Sequence, residues 1–357
     1  MTVSPAIQRI RDRRLRSHLL SAPARTVAEA AEHMLATQGQ EFWGGRWALA
    51  ARTKGEPAIS AVDAAFDRGE LVRSWTMRGT VHVIPARHVS WVLSLTGERQ
   101  FRAAGSRHRM LGLTESDVAR AERAVRAALA GGGRLTRSEL FDVLRGIGID
   151  PREQRGVHVL YALSVRGVVV QGPVVAREGA PTREQYVVLS EEWIGASVRP
   201  SDPLAEFFVR YIGSHGPAGT ADFAWWSGLP IGQARRAAEA AGDRLTRLGE
   251  DSWIARDLSR RHPSAPEVVA LPPFDEYYLS YADRTVACAP EHGPIVMTGG
   301  AMRPILVARG EIVATWAHSH ALSRRGADPS AEHLVPGAVT AAEASAALER
   351  YRRFIMG

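Results

Sequence analysis

Three times along this chain of 357 residues the same order of local signals recurs: two helical stretches, then two short strands joined by a turn. In the first, Ser60 to Asp67 has helical spacing, Gly69 breaks it, and residues 70–84 (ELVRSWTMRGTVHVI) read as two strands turned at Arg78-Gly79. The second runs from Thr136 to Gly146, then Arg155 to Arg166, then Val168-Val169-Val170 and a returning Gln185 to Leu189. The third has Asp202 to Ser214, Thr220 to Ser227, Pro230 to Ala241 and a hairpin from Leu245 to Ile254. Repetition at a roughly regular spacing calls for one repeated architecture rather than three accidents. Helix–turn–helix followed by a hairpin is the winged-helix pattern, and winged helices usually meet nucleic acid.

Charge is compatible with that partner. The chain carries 45 Lys and Arg against 38 Asp and Glu, a formal charge of +7, and Arg supplies nearly all of the cations. Neutralising a phosphate releases counterions and favours binding, although an Arg-, Ala- and Gly-rich composition is also what a GC-rich genome writes. With one cysteine, Cys288, an internal disulfide and a Cys-based zinc site are excluded. No apolar run approaches the ~20 residues of a membrane span. The basic N-terminal stretch continues as an amphipathic helix with Asp12 inside it, unlike a signal peptide. The expectation is a soluble, cytoplasmic, monomeric protein that associates with the nucleoid when on DNA.

Four successive segments are expected: a first unit over 1–113, a second over 114–200, a third over 201–266, and a β-rich cap with a closing helix over 267–357. Pro5 opens a helix whose polar face carries Arg9, Arg11, Arg13, Arg14 and Arg16, a dense positive stripe. Thr26-Val-Ala-Glu29 has the form of a capping box, with Val27, Ala30, Ala31, Met34 and Leu35 following at helical spacing. That helix runs out at Thr37 and leaves Gln38-Gly39-Gln40 at its end or in the next turn. Thr136-Arg-Ser-Glu139 is a second capping box. A long helix over 114–130 ends at Gly131-Gly132-Gly133, the expected hinge or boundary, and residues 173–184 form a wing tip. In the cap, strands are expected around 267–271, 294–298, 304–307 and 312–316, then a helix from Thr340 to Phe354.

Gln38 and Gln40 stand two residues apart, so in an extended segment their side chains converge. An amide offers an acceptor oxygen and two donor hydrogens but takes no proton at neutral pH. Such a pair orients a water or grips a base edge; the plain alternative is two solvated turn residues. Glu41 follows as an acid–base partner or an ordinary exposed carboxylate.

Together with Thr37-Gln38-Gly39-Gln40, three further segments, Trp75-Thr-Met-Arg78-Gly79-Thr-Val-His82, Leu271-Pro-Pro-Phe-Asp275-Glu276-Tyr-Tyr-Leu-Ser-Tyr281-Ala-Asp283-Arg284, and Arg303-Pro304-Ile-Leu-Val with Thr315-Trp316, carry a resemblance. The chain resembles the HTH_42 winged-helix DNA glycosylases of the azinomycin-resistance (AlkZ) type. The segments fall in the family's order over essentially the whole chain, with one departure: the usually aliphatic middle residue of the Gln-x-Gln is Gly39. The resemblance implies an α+β, mainly helical fold of three tandem winged helix-turn-helix units forming a C-shaped, concave DNA-binding surface, with a β-rich C-terminal part. It implies excision of N7-alkylguanines, interstrand crosslinks from natural-product toxins included, with Gln38 and Gln40 as the essential pair. N7 alkylation places a positive charge on guanine, so the base leaves without protonation. What remains is to stabilise an oxocarbenium-like sugar and place a water near C1′, a task for dipoles and positioning. A crosslinked base cannot be flipped freely into a pocket, which suits an open surface.

Other residues are weighed beside these. Arg78, at the first hairpin tip, touches the DNA backbone or minor groove, or is an ordinary turn arginine. Arg102, Arg107 and Arg109, with His108 and Gly105, form a phosphate-binding loop or a plain polar segment. Arg303 projects toward DNA. His82 packs within its strand. Asp275 and Glu276 either cap the core through backbone hydrogen bonds or support catalysis. His318-x-His320 lacks a third ligand, so no metal is expected, nor any organic cofactor. Trp225-Trp226 reads as core. The one lysine, Lys54, has no evident pocket for a Schiff base, so water is the nucleophile and the enzyme monofunctional. The partner is double-stranded DNA containing alkylated purines. The rival class is a non-catalytic winged-helix regulator. Three tandem units and a recognition stretch (SAVDAAFD) nearly devoid of base-reading side chains speak against it, as the basic composition speaks against a toxin-sequestering protein.

Overall fold

A computed structural model describes residues 4–178, 181–257, 268–318 and 329–357. Compactness groups the chain into two units, residues 63–203 and the combination of 1–62 with 204–357. No boundary falls at Gly131–Gly133. There the amides of Gly131 and Gly132 donate to the Glu192 carboxylate at 3.2 and 2.6 Å, so the run is tied down within its unit.

The unit of residues 63–203 is built on helix Glu115–Leu129. Val118, Ala121, Val125 and Leu129 recur at helical spacing and are all buried. Thr114 and Asp117 close a reciprocal capping box at its start, which satisfies two amide donors that the helix cannot. Against this face pack Leu140 and Leu144 of helix Arg137–Gly146 and Val159, Leu160 and Leu163 of helix Arg155–Val165. Each such aliphatic side chain contributes ~1.5–3 kcal/mol on burial. The helix Val89–Ala103 passes helix Arg155–Val165 with backbone contact, since a Cβ on Gly97 would lie 2.4 Å from the Val165 carbonyl oxygen.

The hairpins expected as separate wings are fused in this unit. Strands Leu71–Met77 and Thr80–Pro85 pair antiparallel, as do Val169–Val174 and Gln185–Leu189, and the two hairpins join at Arg73↔Gln171. The first turn is as the sequence suggests: Arg78 and Gly79 both adopt positive φ, 53° and 70°, the two-residue hairpin geometry. Residues 179 and 180 of the expected wing tip lie outside the described residues.

The second unit begins with helix Pro5–Ser17. Its arginines do not form one exposed stripe. Arg11 and Arg14 are buried: Arg11 pairs with Glu311 at 3.0 Å, and Arg14 lies 3.6 Å over the Tyr281 ring while donating to the Pro217 carbonyl. Helices Val27–Met34, Phe42–Ala50, Pro203–His215, Thr220–Ser227 and Ile231–Ala241 follow, with the hairpin Leu245–Gly249/Ser252–Ala255, which bridges to Ala218 through Trp253. The cap is an antiparallel sheet in the order Ser330–His333, Glu311–Ala317, Ile305–Ala308, Val268–Leu271. Of the strand expected over 294–298 only Met297–Thr298 is extended, because Gly293–Val296 forms a turn of helix. Helix Ala341–Met356 closes the unit, bringing Tyr351 and Phe354 against Trp47.

Candidate active site

Helix Val27–Met34 is started by Thr26, whose hydroxyl accepts from the Glu29 amide at 3.1 Å. The expected reciprocal half is replaced, because Glu29 accepts from Arg25, through both its backbone amide and its guanidinium. The helix stops at Leu35, a buried leucine in the left-handed region with φ 61°. Thr37 and Gln38 then form a two-residue strand, and Glu41 opens helix Phe42–Ala50 without a side-chain cap bond. The two glutamines therefore sit between helices in different settings: Gln38 is buried, whereas Gln40, beyond the Gly39 break, is exposed with Glu41 beside it.

What fixes this segment comes from far along the chain. The Gln38 amide donates to Glu276 Oε1 at 2.7 Å. Glu276 is 1% exposed, and its second oxygen accepts from the Trp226 indole at 3.0 Å and from the Ser280 hydroxyl. His215 Nε2 stands 3.6 Å from that same oxygen. Burial pulls the His215 pKa below its ordinary value, a shift that the nearby carboxylate only partly opposes, so the imidazole is neutral near pH 7. His18, also fully buried, is held well below the ordinary histidine range by desolvation and by His215 and Arg52. His18 Nε2 lies 2.8 Å from the Tyr281 hydroxyl, which itself donates to the His215 carbonyl at 2.6 Å. Tyr281 must then accept from His18, which assigns the proton to Nε2.

Beside Glu276, Asp275 is locked by a fork. Arg52 Nη1 and Nη2 donate to its two oxygens at 2.9 and 2.8 Å, and both side chains are wholly buried. Asp275 also caps its own short helix, Glu276–Leu279, by accepting from the Tyr277 amide at 2.9 Å. The turn that delivers both carboxylates inward passes through Phe274, a non-glycine residue at φ 60° whose amide faces the Met302 sulfur. Such a conformation costs ~1–2 kcal/mol and persists only where surrounding contacts fix it. Here Gly44 lets helix Phe42–Ala50 approach Pro272, since a Cβ on it would lie 3.3 Å from the Pro272 Cβ.

In this arrangement the backbone at Gln38, two residues before the exposed Gln40, is tied to a buried carboxylate. Glu276 has both oxygens engaged and almost no exposure, and one of them holds the strand at Gln38. Asp275 accepts from the nearby Tyr277 amide, whereas the backbone donor that Glu276 accepts from, Gln38, lies 238 residues away. Sequence reasoning missed Arg52, Ser280 and the polar edge of Trp226. The cue for Arg52 was an arginine directly after the apolar run Trp47-Ala-Leu-Ala-Ala51. Trp225, expected as core with Trp226, is 47% exposed, its indole donating to the Leu279 carbonyl at 2.9 Å.

The remaining candidates are placed elsewhere. The segment holding Arg107 and Arg109 is not a loop: residues Gly105–Met110 are helical and directly follow helix Val89–Ala103, which carries Arg102. Arg102 and Arg109 line a cavity of about 730 Å³ with His108 and Arg166. Arg102 is exposed and paired with Glu98 at 2.7 Å, and Arg107 donates to the Gln154 side chain. At the hairpin tip Arg78 lies 3.5 Å from His82 Nε2, and buried His82 meets the Thr76 hydroxyl at 3.0 Å. Arg303 is half-buried and pairs with Glu332. His318 lies against Trp43, ring centroids 3.7 Å apart and planes tilted by 53°, while His320 lies outside the described residues. Among the described residues no three His, Cys, Asp or Glu side chains gather as for a metal, and no helix is long and apolar enough to cross a membrane.

Comparison with known proteins adds three likenesses. The family described as "DNA glycosylase AlkZ-like" matches residues 31–354. A curated protein of Streptomyces sahachiroi, "Interstrand DNA cross-link repair glycosylase", is 28% identical over 264 residues, covering 69% of this chain and 70% of that protein. A solved structure, "Streptomyces sahachiroi DNA glycosylase AlkZ", matches with a TM-score of 0.77 at 22% identity, covering 99% of this chain and 97% of that one. At that identity the last likeness speaks for the fold.

Proposed function

We propose, for a chain that belongs to the AlkZ-like family of DNA glycosylases, that it hydrolyses the N-glycosidic bond of N7-alkylguanine in double-stranded DNA, interstrand crosslinks included. The DNA-repair glycosylase class follows from the family; the lesion and the residue roles are our reading. One observation carries it: a glutamine pair set between two helices, with the backbone N–H of Gln38 held at 2.7 Å by a buried carboxylate and Gln40 exposed. N7-alkylguanine is already cationic and departs as a neutral base. The site must then hold a water near C1′ and offer oxygen dipoles to the developing sugar cation. Two amides do this without a strong base, because no proton has to be removed before the bond to the base breaks.

In this reading the helix–helix–hairpin units act as winged helices, and Arg78, Arg102, Arg107, Arg109 and Arg303 contact phosphates. Lys54 is exposed and forms no Schiff base, so water completes the reaction and leaves an abasic site. The relative's name as a crosslink-repair glycosylase supports including crosslinks among the substrates.

The test is base release from duplexes carrying N7-methylguanine or an N7–N7 crosslink, comparing wild type with Gln38→Ala and Gln40→Ala at matched DNA occupancy. Each substitution is expected to slow release by roughly 10²–10³-fold, the effect of removing one preorganised dipole. Wild type that binds the duplex yet releases no base from either substrate would refute the proposal.

A further inference from the structure

We infer that Glu276 is a positioning residue of this site, fixing the backbone at Gln38 and so the setting of its amide side chain. The inference rests on the catalytic reading of Gln38 given above.

A carboxylate with 1% exposure is costly to bury, and an apolar residue would fill the same space at less cost. Its retention is explained by what it holds. The Gln38 N–H belongs to a strand only two residues long, and it donates to a side chain 238 positions away. The two oxygens divide their work. Oε1 takes the Gln38 amide, while Oε2 takes the Trp226 indole and the Ser280 hydroxyl. With both oxygens bound, the plane of the carboxylate is pinned, and the Gln38 nitrogen is pinned with it. The helix Glu276–Leu279 that carries Glu276 is itself held at both ends by consecutive indoles, Trp226 on Glu276 and Trp225 on the Leu279 carbonyl.

The isosteric change Glu276→Gln keeps the shape but not this division. If the new amide turns its oxygen to the Gln38 N–H, its NH2 faces the Trp226 N–H. Turned the other way, its NH2 faces the Gln38 N–H. One donor–donor conflict is unavoidable, because the indole is a donor only. The Gln38 segment therefore shifts while the fold keeps its side-chain volumes.

A double-mutant cycle separates positioning from mere support. Single-turnover release of N7-methylguanine, duplex affinity and melting temperature would be measured for wild type, Glu276→Gln, Gln38→Ala and the double variant. We expect Glu276→Gln to slow release by about 10–100-fold with duplex affinity within about twofold, and the double variant to be no slower than Gln38→Ala alone. A Glu276→Gln enzyme at the wild-type rate, or losses that multiply in the double variant, would overturn the inference. Should Glu276→Gln fail to fold, Ser280→Ala takes its place by removing one donor from Oε2. It should slow release several-fold with Gln38 present and not at all in the Gln38→Ala background; an unchanged rate in both would overturn the inference. Loss of base release in wild type itself would instead strike the glycosylase reading.

Discussion

Replacing Asp275 by alanine should be among the most destabilising single changes in the unit formed by residues 1–62 and 204–357. Arg52 and Asp275 are both wholly buried and joined by two bonds of 2.8 and 2.9 Å. Removing the carboxylate leaves a guanidinium in the interior that keeps its bond to the Ala48 carbonyl, at 2.9 Å, but loses its counter-charge. Breaking a buried pair from one side costs ~3–5 kcal/mol. The alanine also loses the cap on the Tyr277 amide, worth ~1 kcal/mol, which overlaps with the first term. With ~4 kcal/mol as the central value and a guanidinium slope of ~4 kcal/mol/M, the denaturation midpoint should fall by about 1 M. The double change Arg52→Met with Asp275→Leu should recover most of that loss, because it removes both charges together. Guanidinium unfolding followed by near-UV circular dichroism gives the midpoints, and hydrogen exchange at the Gln38 amide reads the local effect. A shift below about 0.2 M for Asp275→Ala, or a double variant weaker than the single, would refute the reasoning.

Two further outcomes follow from the same structure. His18 and His215 are buried with depressed pKa values, so the unfolded chain takes their protons first as pH falls below about 6.5. Their contribution to stability is complete above that pH and is lost on acidification, with a slope of ~1.4 kcal/mol per pH unit for each proton. Denaturation midpoints between pH 7.5 and 5 should show this decline, and His18→Gln should lessen the slope by about one proton's worth; an unaltered slope would contradict the assignment. Gly97→Ala places a Cβ 2.4 Å from the Val165 carbonyl oxygen, so it should cost ~1–3 kcal/mol by overpacking. Calorimetry should find a melting point lower by roughly 3–10 °C, and a wild-type melting point would refute the contact.

Much of the local structure was readable because it depends on neighbours in sequence. The capping box at Thr136, the long helix over 114–130 and the Arg78-Gly79 turn each signal themselves within a dozen or so residues. Residues 294–296 are helical although Pro-Ile-Val carries a strand-like composition, whereas the strand Ser330–His333 is short, polar and mostly exposed. Arg11 and Arg14 were read as solvent-facing because periodicity sorts polar from apolar side chains and says nothing of paired charges. The candidate site was legible as far as its motifs reached, Gln38 and Gln40 at one end and Asp275 and Glu276 at the other. That the two motifs meet, and that Arg52, Trp226 and Ser280 complete the meeting, depends on contacts between distant residues. No local pattern encodes those.

The bond between Gln38 and Glu276 also sets a schedule for biosynthesis. At ~5–20 residues per second, about 12–50 s separate the synthesis of the glutamine motif from that of the carboxylate that secures it. Meanwhile residues 63–203, one uninterrupted stretch, emerge whole and can fold on the ribosome before their flanks meet. A nascent or truncated chain ending before residue 276 carries both glutamines but lacks the carboxylate that holds the Gln38 backbone.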